Sequence, residues 1–330
     1  MVEQLVQRGA RAHGRFDQRP VEVNPLDEFA GLRRVWRVLR LKQWIGFTLV
    51  HPDVWSSVLV QDAGYLASSE IYAHDASTGG PRQHSANARG GAGQLPTKLL
   101  GERAAFHRPG HRIDYEFADR TDGTHHVHVD VSATRTDPAI SGELALHGGT
   151  ASPALSVSAP LPGGSMYTHK AVFPTSGTLR VGDREHNFDA GRDFAILDEH
   201  KSFLPYRTRW LWGTFATRTS HGVVGANFAQ RPAVPGSADE SCLWTPGAVE
   251  PLAEVTFERD SDDPLSGWRA RSANGRLDVR FEAEGRKTAA HQLGLFAIDY
   301  FQLYGRWSGV VGEHTVTGAH GVCESMDARL

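Results

Sequence analysis

Between Trp36 and Asp75 the chain reads WRVLRLKQWIGFTLVHPDVWSSVLVQDAGYLASSEIYAHD, short runs broken at His51-Pro52-Asp53 and Asp62-Ala63-Gly64. Apolar and polar residues alternate within each run. A period of two is the mark of a sheet with one face packed and one face wetter, and β-branched and aromatic residues suit its pleat. The pattern resumes in AAFHRPGHRIDYEF (104–117), THHVHVDV (124–131), YTHKAVF (167–173), DFAILDEH (193–200), RTRWLWGTFATRT (207–219) and HQLGLFAIDYFQLYGRWSGVV (291–311). No helix longer than a few turns is convincing. Many short strands at this spacing predict an all-β protein, sandwich or barrel.

Each barrel-type half needs roughly 8 strands, or about 150 residues, and the chain has 330. The expected division is an extended N-terminal arm over 1–30, broken by Pro20 and Pro25, then an N-terminal half over 31–160 and a C-terminal half over 161–330. Residues 76–97, rich in Gly, Ser, Pro and Ala, read as a long loop. HGGTASPALSVSAPLPGGSM (147–166) reads as a crossover or site loop. Asn274-Gly275 predicts a type I′ hairpin, and Gly182-Asp183 a second tight turn.

Lys and Arg number 35 against 38 Asp and Glu, a formal net charge of −3. Only Arg33, Arg34, Arg37, Arg40 and Lys42 form a basic concentration, so no sustained face for nucleic acid is expected. Two cysteines, Cys242 and Cys323, make neither a disulfide framework nor a zinc knuckle. The polar N-terminus has no secretory apolar core, and the apolar runs fall short of the roughly 18 residues that cross a bilayer. The expectation is a soluble, cytoplasmic protein without a membrane span.

Four segments offer chemistry. In residues 193–213 a strand at ILDEH turns Asp198 and His200 to one face and Glu199 to the other, while Trp210 and Trp212 share a face. A carboxylate beside an imidazole can exchange protons, and indoles can supply an apolar wall. The same residues could equally tie down a loop and fill a core. His126, His128 and Asp130 alternate on one strand face. They could ligate a metal, but no partner segment is evident and no metal is expected. His169 and Lys170 follow the Gly/Pro-rich stretch, as mouth residues or as strand caps. Finally, Tyr300, Gln302, Tyr304 and Arg306 share a face, either a wet exterior or a polar pocket floor, and Glu324 is a further candidate buried carboxylate. No G-x-S-x-G, P-loop or H-E-x-x-H occurs, so nucleotide chemistry is disfavoured and no cofactor is expected.

The segments LKQWIGFTLVHPDVWSSVLVQDAGYLASSEIYAHD, THKAVF, ILDEHKSFLPYRTRWLWG, GANFA, RLDVRFEAEG and YFQLYGRWSG, with GVCES, resemble the family called domain of unknown function 2804. The likeness is sharpest over Asp198, Tyr206, Trp210 and Trp212. In layout the family resembles the carotenoid 1,2-hydratase and AttH-like proteins. That resemblance implies two lipocalin-like (calycin-type) antiparallel β-barrel halves packed together around a hydrophobic site. The wider group includes hydratases acting on isoprenoid double bonds and decalin-forming pericyclases, all without an organic cofactor.

The leading expectation is therefore a cofactor-independent hydratase or dehydratase acting on an apolar, terpenoid-like alkene or tertiary alcohol. Asp198 would be the acid, His200 its partner or the water-activating base, and His169 a second proton carrier. Tyr206, Trp210 and Trp212 would stabilise the developing cation through their ring faces. Lys170, Asn227, Tyr300 and Gln302 would line the substrate. A pericyclase-like isomerase or cyclase, or a non-enzymatic carrier of a lipid or terpenoid, are the alternatives.

Overall fold

The computed structural model describes residues 2–75, 77, 80–294 and 296–330. The first part of the chain forms β1 (Val6–Gln7), β2 (Ala10–Arg11), β3 (Gly14–Arg15), a 3-10 turn at Pro25–Glu28, α1 (Gly31–Val38), β4 (Leu41–Val50), β5 (Val54–Asp62), β6 (Leu66–Asp75), β7 (Pro81–Arg89), β8 (Arg103–Arg108), β9 (His111–Glu116), β10 (Thr124–Val131) and β11 (Ile140–His147). Then come β12 (Leu155–Leu161), β13 (Gly164–Val181), β14 (Arg184–Phe188) and β15 (Phe194–Phe203). The remainder is β16 (Arg207–Thr219), β17 (Gly222–Gln230), β18 (Cys242–Thr245), β19 (Ala248–Pro251), β20 (Val255–Arg259), β21 (Trp268–Ser272), β22 (Leu277–Leu293), β23 (Phe296–Val311) and β24 (His314–Arg329). The all-β expectation holds.

Two compact units emerge: Met1–Ser158 with Met166–Phe203, and Ala159–Ser165 with Leu204–Leu330. The first is a nearly closed barrel, a 13-stranded antiparallel sheet ordered β7-β6-β5-β4-β15-β13-β11-β10-β9-β8, with β12, β14 and β3 alongside. The second is a half-barrel of nine strands ordered β19-β18-β17-β16-β24-β23-β22-β21-β20. The division thus differs from that expected at 160/161. Strands β13 and β15 pair with β11 and β4, so residues 166–203 complete the first sheet rather than opening the second.

Alternation decides what each strand buries. In the first unit Ile45, Phe47 and Leu49 of β4 pack with Val127 and Val129 of β10, Leu144 of β11 and Ala195 and Leu197 of β15. In the second, Phe215, Phe228, Trp268, Phe281, Leu303 and Trp307 form the core. Gly213 has a packing reason: a Cβ there would lie 2.6 Å from the Phe228 ring. A side chain would have to displace that ring.

Several local expectations are corrected. The arm is not merely extended: β1 pairs β2, β3 pairs β12, and Leu5, Val6 and Val23 pack on Tyr167. Trp36–Val38 is helix, not strand, because the sheet alternation begins only at Leu41. Of the predicted loop 76–97, residues 76, 78 and 79 lie outside the described residues, while 81–89 form β7, paired along β6. Within 147–166, β12 replaces the expected crossover. The Asn274-Gly275 hairpin exists, but its connection is longer than two residues and only Gly275, at φ 70°, has a positive φ, so it is not type I′. No helix among the described residues is long and apolar enough to cross a membrane.

Candidate functional site

In the first unit β15 lies beside β4, with His200 opposite Trp44 and Asp198 opposite Gly46. Ala195 and Leu197 point into the core, so Asp198 and His200 share the other face, as alternation predicts. Trp44 donates its indole N–H to Asp198 Oδ2 at 3.2 Å. Its ring stacks on His200, with centroids 4.2 Å apart and planes 12° from parallel. His200 Nδ1 is 2.7 Å from Ser202 Oγ. The decisive contact is Lys170 Nζ to Asp198 Oδ1 at 2.5 Å; the lysine side chain is 2% exposed and the aspartate 27%.

That contact joins two of the candidates. Lys170 reaches Asp198, and the ammonium and the Trp44 indole N–H together fix the orientation of the carboxylate.

His169, one residue before Lys170, turns to the opposite side of β13, where its electrostatic neighbours are Glu199, Arg19 and His125. It does not join Asp198 and His200. Its Nδ1 is buried with no hydrogen-bond partner among the described residues. Burial, reinforced by Arg19 and opposed by Glu199, depresses its pKa to about 4. It is a neutral interior imidazole.

Glu199 is the inward partner in this β15 run. Arg19 holds it with Nε and Nη2, each at 2.7 Å, and also donates to the carbonyls of Pro20, Val21 and Thr97. Burial raises the Glu199 pKa, but the Arg19 charge and hydrogen bonds outweigh it and leave a value of about 2. Lys201 Nζ donates to the carbonyls of Pro96 and Val23. Burial, opposed by Glu199, lowers its pKa to about 8. The arm thus supplies the counterpart of a charge buried beside the core.

The remaining candidates belong to the second unit. Trp210 and Trp212 share the β16 face away from Phe215, but their indole N–H groups have separate partners. Trp210 donates to Glu324 Oε1 at 2.7 Å and Trp212 to Asn227 Oδ1 at 2.9 Å. Tyr300 Oη and Gln302 Nε2 donate to Glu324 Oε2 at 2.9 and 3.0 Å. Glu324 is the hub of this face. Leu303 packs into the core while Tyr300 and Gln302 turn to the other side. Asn227 also donates to the Glu240 carbonyl at 3.0 Å, and Arg231 binds the Glu240 carboxylate. Asn227 thus links the Trp212 indole to Glu240. Tyr206 is 43% exposed and precedes β16.

The two candidate groups thus fall in different units, Asp198, His200, His169 and Lys170 in the first and Tyr206, Trp210, Trp212, Asn227, Tyr300 and Gln302 in the second. Sequence reasoning missed Trp44 and Arg19. The period-2 pattern put Trp44 on a strand, but only pairing register sets it opposite His200. On the surface of the first unit a groove of about 530 Å³ is lined by Arg103, Arg112, Asp114, His126, His128 and Glu143, among others. His128 lies 3.4 Å from Glu143, and Asp114 is claimed by Arg103, His107 and Arg112. Among the described residues no group of three or more ligand-type side chains could hold a metal ion.

Comparison with known proteins follows the fold. The family described as Domain of unknown function (DUF2804) matches residues 10–330, and the chain belongs to it. No curated protein matches the sequence. Among solved structures, the chain is similar to kievitone hydratase from Nectria haematococca, with a TM-score of 0.51 at 9% identity over 87% of this chain and 88% of that one. At that identity the likeness speaks for the lipocalin-like fold alone.

Proposed function

We propose that this member of the DUF2804 family is a cofactor-independent hydro-lyase that adds water to, or removes it from, an apolar alkene or tertiary alcohol of terpenoid type. The observation that carries the reading is Asp198: a carboxylate held by Lys170 and Trp44, still partly open, beside a stacked imidazole. A fold similar to a protein named as a hydratase is consistent with it.

In the hydration direction, protonated His200 gives its proton to the alkene carbon and a carbocation develops. The Trp44 ring contributes cation–π stabilisation of about 0.5–2 kcal/mol. Water bonds to the cation as Asp198 accepts a water proton. The enzyme is left with neutral His200 and protonated Asp198, and return of that proton to the imidazole through solvent restores the starting state. Lys170 holds the Asp198 carboxylate in place through the cycle. Glu324, occupied by three donors, is assigned a positioning role for Trp210, Tyr300 and Gln302 within its own unit.

The test is turnover of a panel of prenylated and terpenoid alkenes in D2O. Deuterium on the product carbon, lost with Asp198→Asn while a fluorescent apolar probe still binds, is the expected result. Turnover undiminished in both Asp198→Asn and His200→Asn overturns the assignment. Turnover that survives Asp198→Asn without solvent label points instead to a shape-driven cyclisation.

A further inference from the structure

Helix α1 buries nothing. None of its residues falls in the core, and its apolar side chains are turned outward: Leu32 is 81% exposed, Val35 64% and Trp36 70%, with Leu39 continuing the stripe one turn on. The spacing i, i+3, i+4, i+7 is that of a single helical face. A helix packed on its own domain would turn this face inward, because exposing it forfeits the burial that normally stabilises so short a helix.

The polar side is what holds α1 in place. Arg34 pairs with Asp27 at 2.7 Å, and Arg37 lies over the Phe29 ring at 4.7 Å. At its C-terminal end Lys42 Nζ donates to the carbonyls of Leu39 at 3.2 Å and Ala63 at 2.9 Å, tying the helix to the β5–β6 turn. The approach there is close: a Cβ on Gly64 would sit 2.1 Å from the Val38 carbonyl oxygen. That turn carries Tyr65 and Leu66, also exposed.

Charge selects the occupant. Arg33, Arg34, Arg37 and Arg40 crowd this short stretch, ahead of the buried Lys42, although the chain as a whole carries a net charge of −3. The nearest acidic residues in sequence are Asp27 and Glu28, and Glu28 is engaged by Arg11. An apolar stripe with an exposed tryptophan, flanked by arginines, matches an interfacial helix lying in the headgroup plane of an anionic bilayer. A second copy is disfavoured, since it would bring two arginine-rich faces together.

We propose that α1, with the Tyr65–Leu66 turn, is a lipid-surface anchor that docks the protein reversibly on anionic membranes. The helix lies flat, its roughly 12 Å of length inserting Leu32, Val35, Trp36 and Leu39 while Arg33 and Arg40, flanking the stripe, meet lipid phosphates. The proposal stands on exposure and charge alone and does not depend on the hydro-lyase reading.

Flotation of the full chain with vesicles of phosphatidylcholine, with and without 30% phosphatidylserine, tests it. Binding is expected only to the anionic vesicles and is released by 0.5 M NaCl. Leu32→Ser with Trp36→Ser should abolish it at an unchanged melting temperature. Arg33→Gln with Arg40→Gln should weaken it about 25-fold, at roughly fivefold per basic side chain near the surface. Absence of flotation, or full binding by Leu32→Ser/Trp36→Ser, overturns the proposal. So does a wild-type dimer that this pair of changes turns into a monomer, which would assign the patch to a second copy.

Discussion

Lys170 Nζ donates to Asp198 Oδ1 at 2.5 Å from a neighbouring strand of the same sheet, and this one contact sets the character of the first unit's candidate site. The ammonium is almost wholly buried, whereas the carboxylate keeps an open side. Asp198 is therefore oriented and still reachable, as the proposed base must be. Replacing Lys170 by Met is expected to cut the proposed turnover by about 10²–10⁴-fold, the usual scale of a lost acid–base contribution. Single-turnover kinetics separate this from a loss of binding, and a change confined to apparent affinity would refute the role.

Trp44 serves Asp198 with its N–H and His200 with its ring. Trp44→Phe keeps a ring for stacking and deletes the donor. The loss of a hydrogen bond to a charged group is worth about 1.5–3 kcal/mol, discounted here because Asp198 is partly exposed. A stability loss near the lower end of that range is expected, together with a fall in turnover. Trp44→Leu should lower turnover further by removing the ring. Urea titration and steady-state kinetics together check both statements.

The Arg19–Glu199 pair is a structural matter. Both partners are buried and the carboxylate is fully enclosed. Arg19→Met leaves an uncompensated buried charge, with an expected cost of about 3–5 kcal/mol. The double variant Arg19→Met/Glu199→Gln removes that charge and should recover much of the loss. Equal destabilisation by the single and double variants would show that packing, not charge, dominates the site.

Stability should fall with acid in two overlapping steps. Burial holds His169, His125 and His111 at about 4 against an ordinary 6.5. Their unfolded forms therefore bind protons first as pH drops from 6.5 toward 4, which favours unfolding. Glu199, at about 2 against 4.5, adds stability that is present above 4.5 and lost on descending toward 2. Unfolding free energy measured from pH 7.5 down to 4.5 should decrease monotonically. His169→Gln should flatten the upper part of that curve.

Much of the site could be read from alternation. Asp198 with His200, and Trp210 with Trp212, do share faces, because residues two apart on a strand must. Alternation could not say that Trp210 answers to Glu324 and Trp212 to Asn227, since those partners lie on other strands, chosen by pairing register. The same rule separates His169 from Lys170 but is silent on which of them faces Asp198. The helix at Gly31–Val38 was obscured because its arginines and apolar residues also satisfy a short alternating run. Residues 81–89 read as loop because their inward face carries only His84, Ala86 and Ala88, small or polar groups that give no large apolar signal, while the backbone ladder to β6 makes the strand.

From the residues alone came the all-β class, the family likeness and the facing of each strand's side chains, since a two-residue repeat is local and survives without knowledge of neighbours. The tertiary structure decided which strands meet. It moved residues 166–203 into the first unit, gave Asp198 an ammonium partner, buried Arg19 against Glu199 and left α1 apolar side out. These depend on contacts between residues far apart in sequence, and loop closure, register and burial decide such contacts together, beyond what any local pattern carries.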